Sequence, residues 1–494
     1  MNTQLVRRAR RRKQKLKERN DRCSFGDGRP VIGSGNRKYE LSERVSATPY
    51  GGVGPVLDLL RRSGLAALLD EHLHLLHSHR PYHESDHVIN LVLNFLCGGT
   101  CLDDLSRLRD DSAFLDALGT RRIPDPTTAG DFLRRFGYDD NITLMDVMNL
   151  GNQWAWKMAG TAKTNAVLDV DSSILETTGE KKQKMDISYT GKWGFHPLLI
   201  TEANTGTDIC LVNRPGNHTS QQDAAYWIEY AIAAVEEHFG RVYLRGDSAF
   251  NLTYKFDEWD SAGIEFCFGC AATQKMQKKA ENLPASRWKS LRPGLLKSAG
   301  ETDKQRRARE RNFHNIQAHR EHVAEFSYRP TKCSQDYRII VVRKTLVVSG
   351  GQRGLFGALE TRYFFYVTNI TEQSGTEMVG FIHKRCNHEN RIEQLKNGLP
   401  ALHAPCADFQ ANQAWMLIGA LAHNIKSWLC LMHPEPEVRH QLIATEFKSF
   451  FRDFILIPCQ ILRTGRRIVF RFLGITRAFQ DLLDIVRVLH AAPA

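Results

Sequence analysis

Three carboxylates stand where phosphoryl chemistry could use them: Asp171 in NAVLDVDSS, Asp247 in RVYLRGDSAF and Glu389 in HKRCNHENRIEQLKNG. NAVLDVDSS reads as a short buried strand, with Asp169 and Asp171 on one face and Leu168 and Val170 on the other. An acid inside an apolar strand is costly unless it is paired or binds a metal. RVYLRGD repeats the situation, with Asp247 at the strand's end, where ligands of such sheets gather. The third stretch reads as a helix without a clean apolar stripe. Arg385, Glu389 and Lys396 recur at i, i+4 and i+11, within roughly 40° of one another around the axis. That suits a helix presenting one metal ligand beside phosphates. A hard oxygen set favours Mg²⁺ or Mn²⁺ over zinc. Two such ions can serve both ends of a phosphoryl displacement. Arg385 and Lys396 are then the phosphate, and hence DNA, contacts. Taken singly, each Asp is more often a cap or a salt-bridge partner; the ordered set of three weakens that reading. Asp169 remains an alternative ligand to Asp171, which is preferred because Ser172 and Ser173 follow it directly. Glu393 lies one turn beyond Glu389.

The elements that must position these residues follow from the rest of the chain. It has 494 residues and a net charge of +12, enough for two to four domains and a balance that suits a polyanionic partner. Its 11 cysteines are an odd, scattered set that argues against a disulfide framework and suits a reducing cytoplasm. Cys267 and Cys270 form a lone CxxC, read as buried thiols. No apolar run is long enough for a membrane span, and no membrane partner is expected.

Residues 1–45 carry ten Lys or Arg among the first 22 and are expected to stay disordered until they meet a polyanion. Residues 46–155 read as helical, with PDPTTAGDFLRRFG starting a helix capped by Thr127 or Thr128. This is a candidate DNA-reading region, or an ordinary bundle. From 160 to 270 the order is strand, strand, strand, helix, strand, helix, strand. That order predicts a mixed α/β sheet, an antiparallel meander followed by parallel crossovers. The second and third strands join at Asn204-Thr205-Gly206. Residues 271–375 form a β-containing insertion. Its first part is basic, with 14 Lys/Arg against 6 Asp/Glu from Lys275 to Arg329, and YRIIVVRKTLVV and RYFFYVTNI read as its strands. Trp288 there is a candidate base-stacking residue, though a structural Trp is the commoner case. Residues 376–432 hold the Glu389 helix and the apolar helix NQAWMLIGALAHNIKSWLCLM. Residues 433–494 are expected to be helical and basic.

In these residues the chain resembles the DDE transposases of bacterial insertion sequences, in the branch with a β-rich insertion before the final glutamate. Asp171 in LDVDSS and Asp247 in LRGDSAF match the family's two strand-end aspartates. Arg385, Glu389 and Lys396 match its Y-x2-R-x3-E-x6-K motif, with Ile382 standing where the motif has Tyr. The family Tyr is associated with phosphate contact near the transposon end. The resemblance covers roughly residues 50–430. It implies a retroviral-integrase-like (RNase H-like) catalytic core interrupted by the β-rich insertion, with a helical N-terminal DNA-binding region. It also implies catalysis and metal binding by Asp171, Asp247 and Glu389 with two Mg²⁺ (or Mn²⁺) ions, and cut-and-paste transposition by a homodimer on terminal inverted repeats and target double-stranded DNA. The expected place of action is the bacterial cytoplasm, beside the nucleoid. Two other functions stay open: a DNA-binding protein without catalysis, and an RNase H-like nuclease.

Overall fold

The computed structural model describes residues 3–22, 37–40, 45–291, 316–348, 358–465 and 467–491. They divide into two compact units, one of Gly160–Glu393 and one of Met1–Ala159 with Gln394–Ala494. Among them, no helix is long and apolar enough to cross a membrane.

The Gly160–Glu393 unit is mixed α/β and is built on one nine-stranded sheet. Its strands are β1 (Asn165–Ser172), β2 (Leu198–Glu202), β3 (Thr207–Val212), β4 (Arg241–Gly246), β5 (Glu265–Cys270), β6 (Lys289–Ser290), β7 (Ile316–Tyr328), β8 (Tyr337–Val348) and β9 (Ala358–Thr368). Their spatial order is β6-β7-β8-β9-β5-β4-β1-β2-β3. β1, β2 and β3 form the antiparallel meander, closed by the Gly206 turn at φ 71°. β4 pairs parallel to β1, and β5 parallel to β4. The crossover helices Ala224–Val235 and Phe256–Ser261 are the ones such parallel pairs require. β9 runs antiparallel to β5, so the long strands from residue 316 to 368 extend the same sheet. β7 lies in the stretch expected to be only polar and basic. Its alternation, as in HVAEFSY, is the period of a strand with one covered face.

Side-chain alternation assigns the two faces of the sheet. Val167, Tyr243 and Cys267 pack with Ile340, Val342 and with Met378, Val379 and Ile382 of the helix Gly375–His383. Leu168, Val170, Leu244, Phe266 and Phe268 are buried on the opposite side, where Phe256 stacks on Phe266 at 4.4 Å. The face bearing Asp169 and Asp171 is therefore the one under the Gly375–His383 helix.

The other unit is largely helical. The helix Phe409–Leu431 is buried along its length. Its Trp428 indole donates to Asn152 of the helix Tyr138–Ala159 at 2.8 Å. Gly151 leaves room for that ring, since a Cβ there would lie 2.3 Å from it. Three expectations change here. The helix Pro126–Leu133 is capped by Asp125, whose carboxylate accepts from the Thr128 amide at 2.9 Å, and not by Thr127 or Thr128. Proline at N1 places the cap one residue earlier. RTGRRIVFRF is a hairpin, Cys459–Thr464 with Arg467–Phe472, not a helix. Its β-branched and aromatic alternation around Gly465, at φ 58°, favours a turn. Thr3–Asp21 is a helix where disorder was expected. Arg, Lys, Gln, Leu and Glu are strong helix formers, and the Arg12 guanidinium is tied to the Leu473 carbonyl. The Gly-rich part of that tail, residues 23–36, lies outside the described residues.

Candidate active site

The parallel pairing of β1 and β4 brings the two aspartates together. Val170 is in register with Gly246, so Asp171 and Asp247 are the next residues on adjacent strands, whose axes lie roughly 5 Å apart. The chain then turns sharply. Asp247 accepts a hydrogen bond from the Ala249 amide at 2.8 Å and caps the turn Ser248–Phe250. Gly269 on β5 makes room for that turn, since a Cβ there would lie 2.8 Å from the Ser248 nitrogen. Asp171 accepts from the Ser172 amide at 2.8 Å.

Glu389 arrives on the helix Cys386–Glu393. Expected as one continuous helix, this stretch is broken. The helix Gly375–His383 ends first, Arg385 sits at the break, and a wide turn, Gln394–Gly398, follows. Regular 100° stepping therefore joins Arg385 to Glu389 but does not reach Lys396, which lies in the wide turn, beyond the Gly160–Glu393 unit.

Arg385 is the hub of the site. Its guanidinium lies 3.2 Å from Asp171 and 3.3 Å from Glu389. The Asp171 side chain is 15% exposed and that of Glu389 60%. Burial pushes the Asp171 carboxyl up, Arg385 opposes it, and the charges of Asp247 and Glu389 push the same way as burial, leaving it at about 6. Burial works against the charge on Arg385, but the Asp171, Asp247 and Glu389 carboxylates outweigh it and hold its pKa above the ordinary value. The three acids thus share one electrostatic neighbourhood, and a cation is already in it.

Asp169, the alternative ligand, is engaged elsewhere. Its side chain is 2% exposed and takes two parallel hydrogen bonds from Arg245, at 2.6 and 2.8 Å. Arg245 also donates to the Phe381 carbonyl at 2.6 Å, tying the helix Gly375–His383 to the sheet. Neither Arg245 nor this role was foreseen. The available signal was a lone cation and a lone anion in two apolar strands, each needing a partner.

The Glu389 helix is held from below by residues that sequence reasoning also missed. His388, fully buried, shares a 2.9 Å hydrogen bond with Thr201 on β2. Burial drives its pKa well below the ordinary value, so it is neutral. Arg391 lies 4.0 Å from the buried Asp208 on β3. Ile382 is a core residue on the same face. Trp288 is half-buried, with the Arg343 guanidinium 4.2 Å from its ring centre. The CxxC is chemically quiet: burial pushes Cys267 up to about 12, and Cys270 accepts from Asn251 at 3.0 Å.

Among the described residues, no three Asp, Glu, His or Cys side chains converge closely enough to hold a metal ion as they stand. The donor chemistry nevertheless fits a hard divalent cation. Three carboxylates act on one another, and the space between two of them is filled by a guanidinium, a positive group where an ion would lie.

The family model "Transposase DDE domain group 1" matches residues 46–491. The chain belongs to this transposase DDE domain family, which implies an RNase H-like core and an enzyme of DNA cleavage and transfer. No curated protein matches the chain. Among solved structures, it is similar to a piggyBac transposase in a synaptic complex with hairpin DNA, at 10% identity and a TM-score of 0.39, covering 81% of this chain and 79% of that one.

Proposed function

We propose that the chain is an active transposase. It binds the terminal inverted repeats of its own insertion sequence as a homodimer and catalyses metal-dependent cleavage and strand transfer, acting on DNA in the bacterial cytoplasm. The observation that carries this reading is the convergence of Asp171 and Asp247, at the ends of adjacent parallel strands, with Glu389 joined to Asp171 through Arg385.

Asp171, Asp247 and Glu389 would hold Mg²⁺ or Mn²⁺. When bound, the ions would activate water or a 3′-hydroxyl and stabilise the leaving oxygen. The sheet fixes the two aspartates, and the helix fixes Glu389 through His388 and Arg391. Arg385, once released from the carboxylates, is placed to hold a phosphate beside them. Lys396 is assigned a phosphate further along the strand, and the helices of residues 46–155 the reading of the inverted repeats. The buried Ile382 puts an apolar side chain where the family pattern has Tyr, so no hydroxyl from that position takes part.

The test is end cleavage by purified protein with Mg²⁺ on DNA carrying the ends of its element, for wild type, Asp171→Asn and Glu389→Gln. Loss of all cleavage in both variants, with DNA binding retained, is expected. Unchanged cleavage in Glu389→Gln with an intact fold would sink the assignment. End binding without any metal-dependent product in the wild type would favour a DNA-binding protein that lacks catalysis.

A further inference from the structure

Between β1 and β2 the chain makes a small structure of its own. Leu175–Glu176, Asp186–Ile187 and Trp193–Phe195 form a three-stranded sheet with Trp193–Phe195 in the centre. Its hairpin turns over Ser188–Lys192, where the Ser188 amide donates to the Lys192 carbonyl and the Gly191 amide to the Ser188 carbonyl, both at 2.8 Å.

This hairpin carries a patch that no core covers. Tyr189 is 80% exposed, Trp193 52% and Ile187 45%. Ile187 and Trp193 are directly opposed in register, so they share a face. The patch is held out rigidly. Arg214 donates to the His196 carbonyl at 2.9 Å and to the Gln222 carbonyl at 2.9 Å, and His196 shares a 2.8 Å hydrogen bond with the His218 carbonyl. Gly216 lets that loop lie against the hairpin, since a Cβ there would be 2.3 Å from the Asp186 carbonyl oxygen. The same loop reaches the catalytic edge, where Ser220 and Ser172 share a 3.0 Å hydrogen bond. Asp171 pairs across β1 and β2 with Leu199, six residues after Trp193, so that pairing and the reach of the intervening chain limit Trp193 to within roughly 25 Å of Asp171.

Tyr189 lies in the turn between the strands of Ile187 and Trp193, its ring centre 6.0 Å from that of His196, and large exposed side chains on one hairpin suit a recognition site. The charge around them selects the partner. Between Ser173 and Pro197 there are four lysines against three carboxylates. Glu176 is paired with Lys192 at 2.8 Å, and Asp186 accepts from the Ile187 amide at 2.7 Å. Lys181 and Lys184 are exposed beside that pair.

We propose that this hairpin is a docking platform for single-stranded DNA, with Trp193 and Tyr189 stacking unpaired bases and the lysines meeting the phosphates. Aromatic rings stack on bases whose faces are open, and lysines track the backbone without reading sequence. The proposal rests on the transposase reading for the presence of DNA near Asp171, and it adds an unpaired stretch within a short distance of the cut.

The test is fluorescence anisotropy of the full chain with a single strand of about 20 nucleotides and with the matching duplex, across salt. The double variant Tyr189→Ala/Trp193→Ala is expected to lose about tenfold or more in single-strand affinity, with a smaller loss for duplex. Trp193→Phe keeps a stacking ring and should stay near wild type. Lys181→Gln/Lys184→Gln should flatten the salt dependence, by about 0.7 in slope for each phosphate that no longer meets a lysine. Unchanged single-strand affinity in a folded double variant overturns the proposal. So does a change in oligomeric state on gel filtration without a change in DNA affinity, which would give the patch to a second copy of the chain. Asp171→Asn, measured alongside, separates the two readings: unchanged strand binding with lost cleavage supports the catalytic site whatever the platform does.

Discussion

Two arginine–carboxylate pairs sit two residues apart on one face of β1, and they do different work. Asp169 and Arg245 form an interior pair, nearly sealed from solvent and joined by two short hydrogen bonds, with Arg245 also holding the Phe381 carbonyl. Asp171 and Arg385 form an edge pair at 3.2 Å, shared with the exposed Glu389. The residue types are the same, and depth separates them. Desolvated deep in the sheet, each charge of the interior pair needs the other. At the edge, the proposed function has Arg385 exchange carboxylates for phosphate, and the carboxylates exchange Arg385 for a metal. Structure is kept by the first pair and chemistry is open to the second.

Breaking each pair should separate these roles. The largest effect is expected on activity: Asp171→Asn should lower end cleavage by at least about 10²–10³-fold, the scale of losing one group that acts on transition-state charge. If Asp171→Asn cleaved normally while Asp169→Asn folded and did not, the assignment of roles would be reversed. Next comes stability. Arg245→Met leaves a buried carboxylate unpaired and should cost about 3–5 kcal/mol in denaturant unfolding. Arg385→Met should cost less, because Glu389 stays exposed and Asp171 lies at the strand's edge rather than sealed in the sheet.

The pH dependence sharpens the same contrast. Asp171 has its carboxyl raised to about 6 from an ordinary 3.8. The folded state therefore holds that proton more tightly than the unfolded chain. Stability from this group is fully present below about pH 4 and is lost as pH rises to about 6, by on the order of 2 kcal/mol. In metal-free protein, Asp171→Asn should remove that decline, which paired unfolding curves between those pH values will reveal. A decline of equal size in the variant would place its origin elsewhere.

Two smaller effects complete the series. Thr201→Val leaves the buried His388 ring nitrogen without its hydrogen bond and should cost about 1–2 kcal/mol. It should also raise the Mg²⁺ concentration needed for half-maximal cleavage, because His388 adjoins Glu389; an unchanged requirement would limit His388 to a structural role. Glu389→Gln should change stability by less than about 1 kcal/mol, since the Glu389 side chain is itself 60% exposed, while abolishing cleavage.

Much of this was legible in the residues. Short apolar runs located β1, β4 and β5, and the strand–strand–strand–helix–strand–helix–strand order predicted a mixed sheet with parallel crossovers. The acids at strand ends were visible because a carboxylate in an apolar run is conspicuous. Less legible were segments whose pattern serves two structures. RTGRRIVFRF is apolar and basic in a way that suits a helix or a hairpin, and its pairing with Cys459–Thr464 was decided by the turn at Gly465. β7 was hidden because one of its faces is polar.

The linear chain by itself determined which groups can do chemistry, and the i to i+4 spacing that lets Arg385 touch Glu389. Only the tertiary structure decided how they are used. It set Asp171 beside Asp247 through the β1–β4 register and matched Asp169 to Arg245 across 76 residues. It also interrupted the expected helix before Arg385 and widened its end at Gln394–Gly398. The physical reason is that burial, and with it the cost of an unpaired charge, is a property of the folded interior. Two aspartates two residues apart are equivalent in the sequence, and a few ångströms of depth make one a sealed strut and leave the other at the edge, where the proposed metal would bind.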